Sequence, residues 1–180
     1  LRFVLEMSIK LCRVQQEQPR STVAAKLESL KRILDTTNIS IQNQITLGLL
    51  PEPIRADFTQ SVGRFYGETS QYVHLTRAQV LERMALVEAG RTSGMESAED
   101  IATLNLMIAR GLALSLVFLF HAAPQYVVGD LLVQPDGSSL NWFFAGSKYI
   151  AAIDEEFDYK AERQDNLAEI KRKRQELIKF

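Results

Sequence analysis

The sequence predicts an all-α helical bundle, and three observations carry that expectation. Apolar residues recur at spacings of three and four along most of the chain, the period of a helix with one buried face. The segments so marked are punctuated by helix signals: proline in a first turn, serine or threonine as a cap, glycine after an end. The 180 residues, 46% hydrophobic and 24% charged, suffice for a single domain with a substantial core, and no repeat of solenoid length divides them.

In residues 1–16, Leu1, Val4, Met7, Leu11 and Val14 share one helical face, and Pro19 marks the stop. Ser21 or Thr22 caps a second helix with Val23, Leu27, Leu30 and Leu34 on one side, ending near Thr37 and Asn38. ISIQNQITLGLL, residues 39–50, stays open between a short helix and an irregular segment, because β-branched residues are frequent and Gly48 interrupts. Pro53 suits the first turn of a longer helix whose period runs through Ile54, Phe58, Val62 and Phe65 to His74. Thr76 is placed to cap residues 77–89, with Val80, Met84 and Val87 expected on the inner face and Gly90 as the stop. RTSGMES, residues 91–97, reads as an exposed loop; its Ser97, followed by Glu99 and Asp100, opens the most apolar helix, which runs to about His121. Pro135, Asp136 and Gly137 form the sharpest turn signal, preceded by two short apolar runs open between helix and small strand. The apolar WFFAGSKYIAAI then leads into a charged helical pattern carrying Phe157, Leu167, Ile170 and Leu177.

The formal net charge of -1 supplies no bulk attraction to nucleic acid or to anionic membranes, so any such binding must come from local patches. The single cysteine, Cys12, forms no internal disulfide and lies among apolar neighbours, as a buried thiol would in a reducing, cytoplasmic compartment. The opening LRFVLEMSIKL is interrupted by charge and is no signal peptide; its lack of an initiator methionine suggests a segment of a longer protein. GLALSLVFLFHAA, residues 111–123, falls short of the roughly 20 apolar residues that span a bilayer and is expected to be a core helix, with no membrane as partner.

No Gly-rich phosphate loop, paired-cysteine pattern or His-Glu-x-x-His spacing is present, so neither a metal nor a cofactor is expected. DEEFD, residues 154–158, lacks the alternation and glycine of a calcium loop and reads as the solvated face of a helix. Lys171, Arg172, Lys173 and Arg174 form the densest basic cluster and, with Arg77, are candidate phosphate contacts, although Glu169 and Glu176 weaken the cluster's field. In RFYGETSQYVHLT, residues 64–76, Gly67, Ser70, Gln71 and His74 share a helical stripe. Gly67 is expected to let another backbone, helix or ligand approach closely. A histidine near its ordinary pKa can move a proton at neutral pH, with Ser70, Tyr66 or Tyr72 as hydroxyl companions.

The succession of LRFVLEMSIKL, AAKLESLKRIL and a longer helix ending FYGETSQYVHLT resembles the HEPN superfamily of α-helical domains, over residues 1–76. The resemblance implies a bundle built around two long antiparallel helices, commonly dimeric and often found in defence and toxin systems. Many members are metal-independent ribonucleases whose motif is an arginine, then a histidine after four to six intervening residues, assembled across a dimer interface. His74 matches that pattern, but Gly67, Glu68 and Thr69 stand where the arginine belongs. The nearest preceding arginine, Arg64, is about 15 Å of helical rise away.

Two functions are therefore expected. The first is a non-catalytic, HEPN-like nucleic-acid-associated or protein-interaction module, a homodimer with RNA or another protein as further partner. The alternative is a divergent endoribonuclease with His74 as general acid/base and Ser70, Arg64 and Tyr66 beside it, its missing cation supplied by another protomer.

Overall fold

The computed structural model describes residues 1–34, 40–73, 77–90, 94–140, 142 and 146–180, without the side chains at 72, 73 and 78. The described residues form an all-α bundle with no strand. In chain order the helices are α1 (Arg2–Glu17), α2 (Val23–Leu34), α3 (Ile41–Gln44), α4 (Glu52–Val73), α5 (Arg77–Glu88), α6 (Ala98–Ala122), α7 (Gln125–Leu132), α8 (Lys148–Glu155), α9 (Ala161–Gln164) and α10 (Leu167–Leu177). The ambiguous 39–50 segment contributes only the single turn α3, and both apolar runs between Pro124 and Pro135 lie on the helix α7, with Val133 just beyond it. The Pro135–Gly137 turn forms with Gly137 at φ +77°, closed by an isolated bridge between Val133 and Ser139.

The core is organised by α4 and α6. Phe58 and Phe118 meet with ring centroids 5.2 Å apart, while Phe65 packs at Gly111, so the two helices run antiparallel. Leu1 also reaches Gly111, and the Gln16 side chain donates to the His121 carbonyl at 3.2 Å, so α1 lies parallel to α6. Tyr149 on α8 closes the cluster edge-on to Phe58 at 5.1 Å. Against α6, α1 buries Leu5, Ile9 and Cys12, while Leu1, Val4 and Leu11 of the expected stripe are exposed. Val14 of that stripe is buried as expected; the face against α6 is otherwise turned by one residue from the one the spacing suggests. Burial pushes the Cys12 thiol up to about 12, which keeps it protonated and unreactive.

Ser97 and Asp100 close a reciprocal cap at the start of α6: the Asp100 N–H donates to Ser97 Oγ at 3.1 Å, and the Ser97 N–H to the Asp100 carboxylate at 2.9 Å. At the other end, His121 Nε2 accepts the Leu49 N–H at 3.0 Å. Its Nδ1 must then carry the proton and donate to the Val117 carbonyl at 2.7 Å. The ring thereby ties the 45–50 segment to α6 as a neutral imidazole, and burial holds its pKa below the ordinary value.

The close approach expected at Gly67 occurs instead at Gly111. A Cβ at Gly67 would meet nothing within 4 Å, whereas one at Gly111 would stand 2.6 Å from Phe65 Cζ. Gly67→Ala should therefore raise stability by about 0.5–1 kcal/mol through helix propensity. Gly111→Ala should lower it by about 1–3 kcal/mol through overpacking. Urea denaturation of the two variants reads both signs.

A pH series tests the histidine bridge. Because folding depresses the His121 pKa below 6.5, its contribution is complete above that pH and is lost as pH falls through the folded value. Between about pH 7 and about pH 5 the wild type should lose more urea stability than His121→Gln, which cannot titrate there.

Candidate functional site

Among the described residues, the catalytic candidates Ser70 and Tyr66 adjoin each other and Arg64 stands apart from them. His74 lies outside the described residues. The Ser70 hydroxyl donates to the Tyr66 carbonyl at 2.6 Å, one turn back along its own helix. The Tyr66 hydroxyl accepts from the Arg2 guanidinium at 2.8 Å, and that guanidinium also lies 4.6 Å from the Tyr66 ring centroid. Arg64 donates to the Gln60 side chain at 2.7 Å. At about 100° per residue, Arg64 and Tyr66 point to opposite sides of α4.

The basic cluster divides as well. Lys171, Arg172 and Lys173 are exposed, but Arg172 pairs with Glu176 and Lys173 with Glu169, each at 2.6 Å. Arg77 is exposed at the start of α5. Arg174 corrects the expectation, because its guanidinium is buried and faces inward. Its Nε donates to Asp154 at 3.0 Å, and its terminal nitrogens hold Asp158. Asp154 also binds the fully buried Arg163 at 2.6 Å, and Ser139 bridges the two. The DEEFD run is a solvated face only at Glu155 and Glu156, because Asp154 is 0% exposed and two arginines satisfy its carboxylate. The two aspartates neutralise the two arginines, which is the condition for burying charge.

A second constellation lies between α4, α6 and α8, in a cleft of about 230 Å³. Asp57, Ser61, Arg64 and Glu68 line it from one stripe of α4, Arg110 from α6, and Lys148 with Tyr149 from α8. Ser147 caps α8 by accepting the Tyr149 N–H at 3.2 Å, fixing the direction in which the helix starts. Lys148 lies 2.6 Å from Asp57, and the Tyr149 hydroxyl bonds Asp57 at 2.8 Å and Ser61 at 2.7 Å. Hydrogen bonds from Lys148 and then Tyr149 hold the Asp57 carboxyl below its ordinary range. The same pair raises Lys148, and burial raises Tyr149. Tyr149 is thus a neutral donor here rather than a base.

The third feature is apolar. Val80, Met84 and Val87 were expected on the inner face of α5, yet they are 37%, 53% and 75% exposed. The reason is that α5 makes only sparse contact with the other described helices. Leu81 and Leu86 are exposed on its other sides. On α6 the stripe of Ile101, Leu104 and Ile108 is exposed too, before the helix enters the core at Gly111–Phe118, and Leu112 continues the stripe on the side away from that core. By length and composition, Ala98–Ala122 qualifies as a helix able to cross a bilayer, although Gly111, Ala113, Leu114, Ser115, Val117 and Phe118 are buried in this fold.

No protein-family model, curated protein or solved structure matches this chain. The geometry therefore carries the functional argument.

Sequence reasoning missed both new features, though each left a signal. The cleft residues of α4 recur at positions 57, 61, 64 and 68, a polar stripe beside the apolar one. On α5, apolar residues surround the helix instead of keeping to one side, which is the pattern of a helix covered all round. The Asp154 network had no local signature, since its members are nine and twenty residues apart.

Removing the carboxylate at the centre of the network should be severe. Asp154→Asn leaves Arg163 and Arg174 short of an anion in the interior and should cost about 3–5 kcal/mol in urea denaturation. Lys171→Gln, on the exposed side of the same helix as Arg174, should stay within about 0.5 kcal/mol of wild type.

Proposed function

We propose that this protein is a helical interaction module whose apolar surface on α5 and the first half of α6 binds a second copy of the chain. The exposure of Val80, Leu81, Met84 and Val87 on one short helix is the observation that carries the reading. Large exposed apolar side chains grouped in this way mark a surface that is covered in use.

The α5 surface is complementary to itself. Val80, Met84 and Val87 line a groove edged by Arg83 and Glu88. Antiparallel pairing of two α5 helices across Ala85 and Leu86 sets Met84 against Val87 of the second copy and Arg83 against its Glu88. Each contact occurs twice, as a two-fold interface requires. Neither Arg83 nor Glu88 has an ion-pair partner among the described residues, so both charges remain available. The HEPN resemblance implies a dimer as well. A nucleic-acid partner has less behind it, since Arg172 and Lys173 each hold a glutamate and Arg174 is buried.

Sedimentation velocity over about 1–100 µM protein should show a dimer that Met84→Glu/Val87→Glu converts to monomer, with the helical circular dichroism retained. Arg83→Glu should weaken the dimer about two- to fivefold, and Arg83→Glu/Glu88→Arg should recover it. A wild type that stays monomeric throughout that range refutes the proposal.

A further inference from the structure

The cleft between α4, α6 and α8 has no part in the interaction surface, and its charges and hydrogen bonds are unequally satisfied. Lys148 and Asp57 neutralise each other at 2.6 Å. Arg64 is held only by the neutral Gln60 side chain, and Arg110 lies 5.7 Å from the Phe180 ring centroid. Among the described residues, neither guanidinium has a carboxylate within ion-pair distance. Two arginines therefore line one cleft, opposed by Glu68 and, at longer range, by the Lys148-paired Asp57. Guanidinium is the side chain suited to holding a carboxylate or phosphate through two parallel hydrogen bonds.

The proton directions add a second requirement. Ionised Asp57 can only accept, so the Tyr149 hydroxyl donates to it at 2.8 Å. The bond between Ser61 and Tyr149, at 2.7 Å, must then run from Ser61 as donor. Ser61 is left with lone pairs and no proton to give. At this point on the wall the cleft asks for a hydroxyl from its occupant, while Arg64 and Arg110 ask for an anion.

We propose that this cleft binds a small hydroxylated anion, a polyol carrying one phosphate or carboxylate group. The anion bridges Arg64 and Arg110, and a ligand hydroxyl donates to Ser61. Lys148 and Tyr149 hold Asp57 away from the anion and fix the direction of the Ser61 proton. Glu68 limits the affinity by its like charge.

Isothermal titration calorimetry of the full chain tests this with glycerol 3-phosphate, glycerate, inorganic phosphate and glycerol as probes. The two hydroxylated anions should bind, inorganic phosphate more weakly and glycerol not measurably; which of the two binds tighter identifies the anionic group. Arg64→Gln and Arg110→Gln should each weaken binding about tenfold or more. Glu68→Gln should strengthen it. Ser61→Ala should reduce glycerol 3-phosphate binding to the level of inorganic phosphate while leaving the latter unchanged. Because Arg64, Glu68 and Ser61 are at least partly exposed, these variants are expected to fold, and circular dichroism verifies it. Absence of heat with both hydroxylated anions at about 10 mM, or affinities unmoved by Arg64→Gln and Arg110→Gln, overturns the proposal.

Discussion

Helix α6 is longer than the core that holds it, and much of the fold follows from that mismatch. Its 25 residues extend about 37 Å, and the buried ones begin at Gly111. The buried half sets the positions of α1, α4 and α8: Phe118 receives Phe58, Gly111 receives Phe65 and Leu1, and His121 anchors the 45–50 segment. The half before Gly111 continues as rigid helix because the Ser97–Asp100 cap satisfies its first amides. It therefore carries Ile101, Leu104 and Ile108 into solvent. Gentle curvature would not hide such side chains, and a kink sharp enough to do so would interrupt the hydrogen-bond ladder, so their exposure is built in.

The C-terminal third is held differently. After α8 the chain turns through α9 to α10, elements too short to bury much apolar surface. Polar cross-linking takes the place of a second apolar core: Asp154, Asp158, Arg163 and Arg174 draw α8, α9 and α10 together, with Ser139 bringing in the turn after α7. Such a network contributes less to net stability than its distances suggest, because desolvating four charges offsets most of the attraction. Its larger effect is on register, since a displaced arginine would leave a buried carboxylate without a partner. Packing around Gly137 imposes the same restriction, as any side chain there would collide with the backbone of Glu162.

The helices were legible in the sequence because they are encoded locally. Pro53, Ser97 and Gly90 stand where α4, α6 and α5 begin or end, and the period of three and four is visible without tertiary knowledge. Which face a helix buries was less legible. On α1 the exposed and buried sets are both apolar and adjacent, so spacing cannot separate Leu1, Val4 and Leu11 from Leu5, Ile9 and Cys12. On α5 the same spacing fits an inner face and an uncovered one equally well. The candidate sites were the least legible. Asp57 and Tyr149 are 92 positions apart, and Asp154 and Arg174 were not separable from the exposed charges beside them because their partners, each other and Arg163, are distant in sequence.

Arg110 shows why the two proposed surfaces can share a helix without competing. It directly precedes Gly111, at the point where α6 passes from its uncovered half into the core, and it lines the cleft. At about 100° per residue, Ile108 and Leu112 lie roughly 160° and 200° around the helix from Arg110. The apolar stripe and the guanidinium therefore face nearly opposite directions at the same height. A second copy seated on the stripe leaves the cleft mouth clear, and an anion held by Arg110 adds no charge to the apolar side. Gly111 makes this division possible, since only a residue without a side chain lets Phe65 close the floor of the cleft directly against α6.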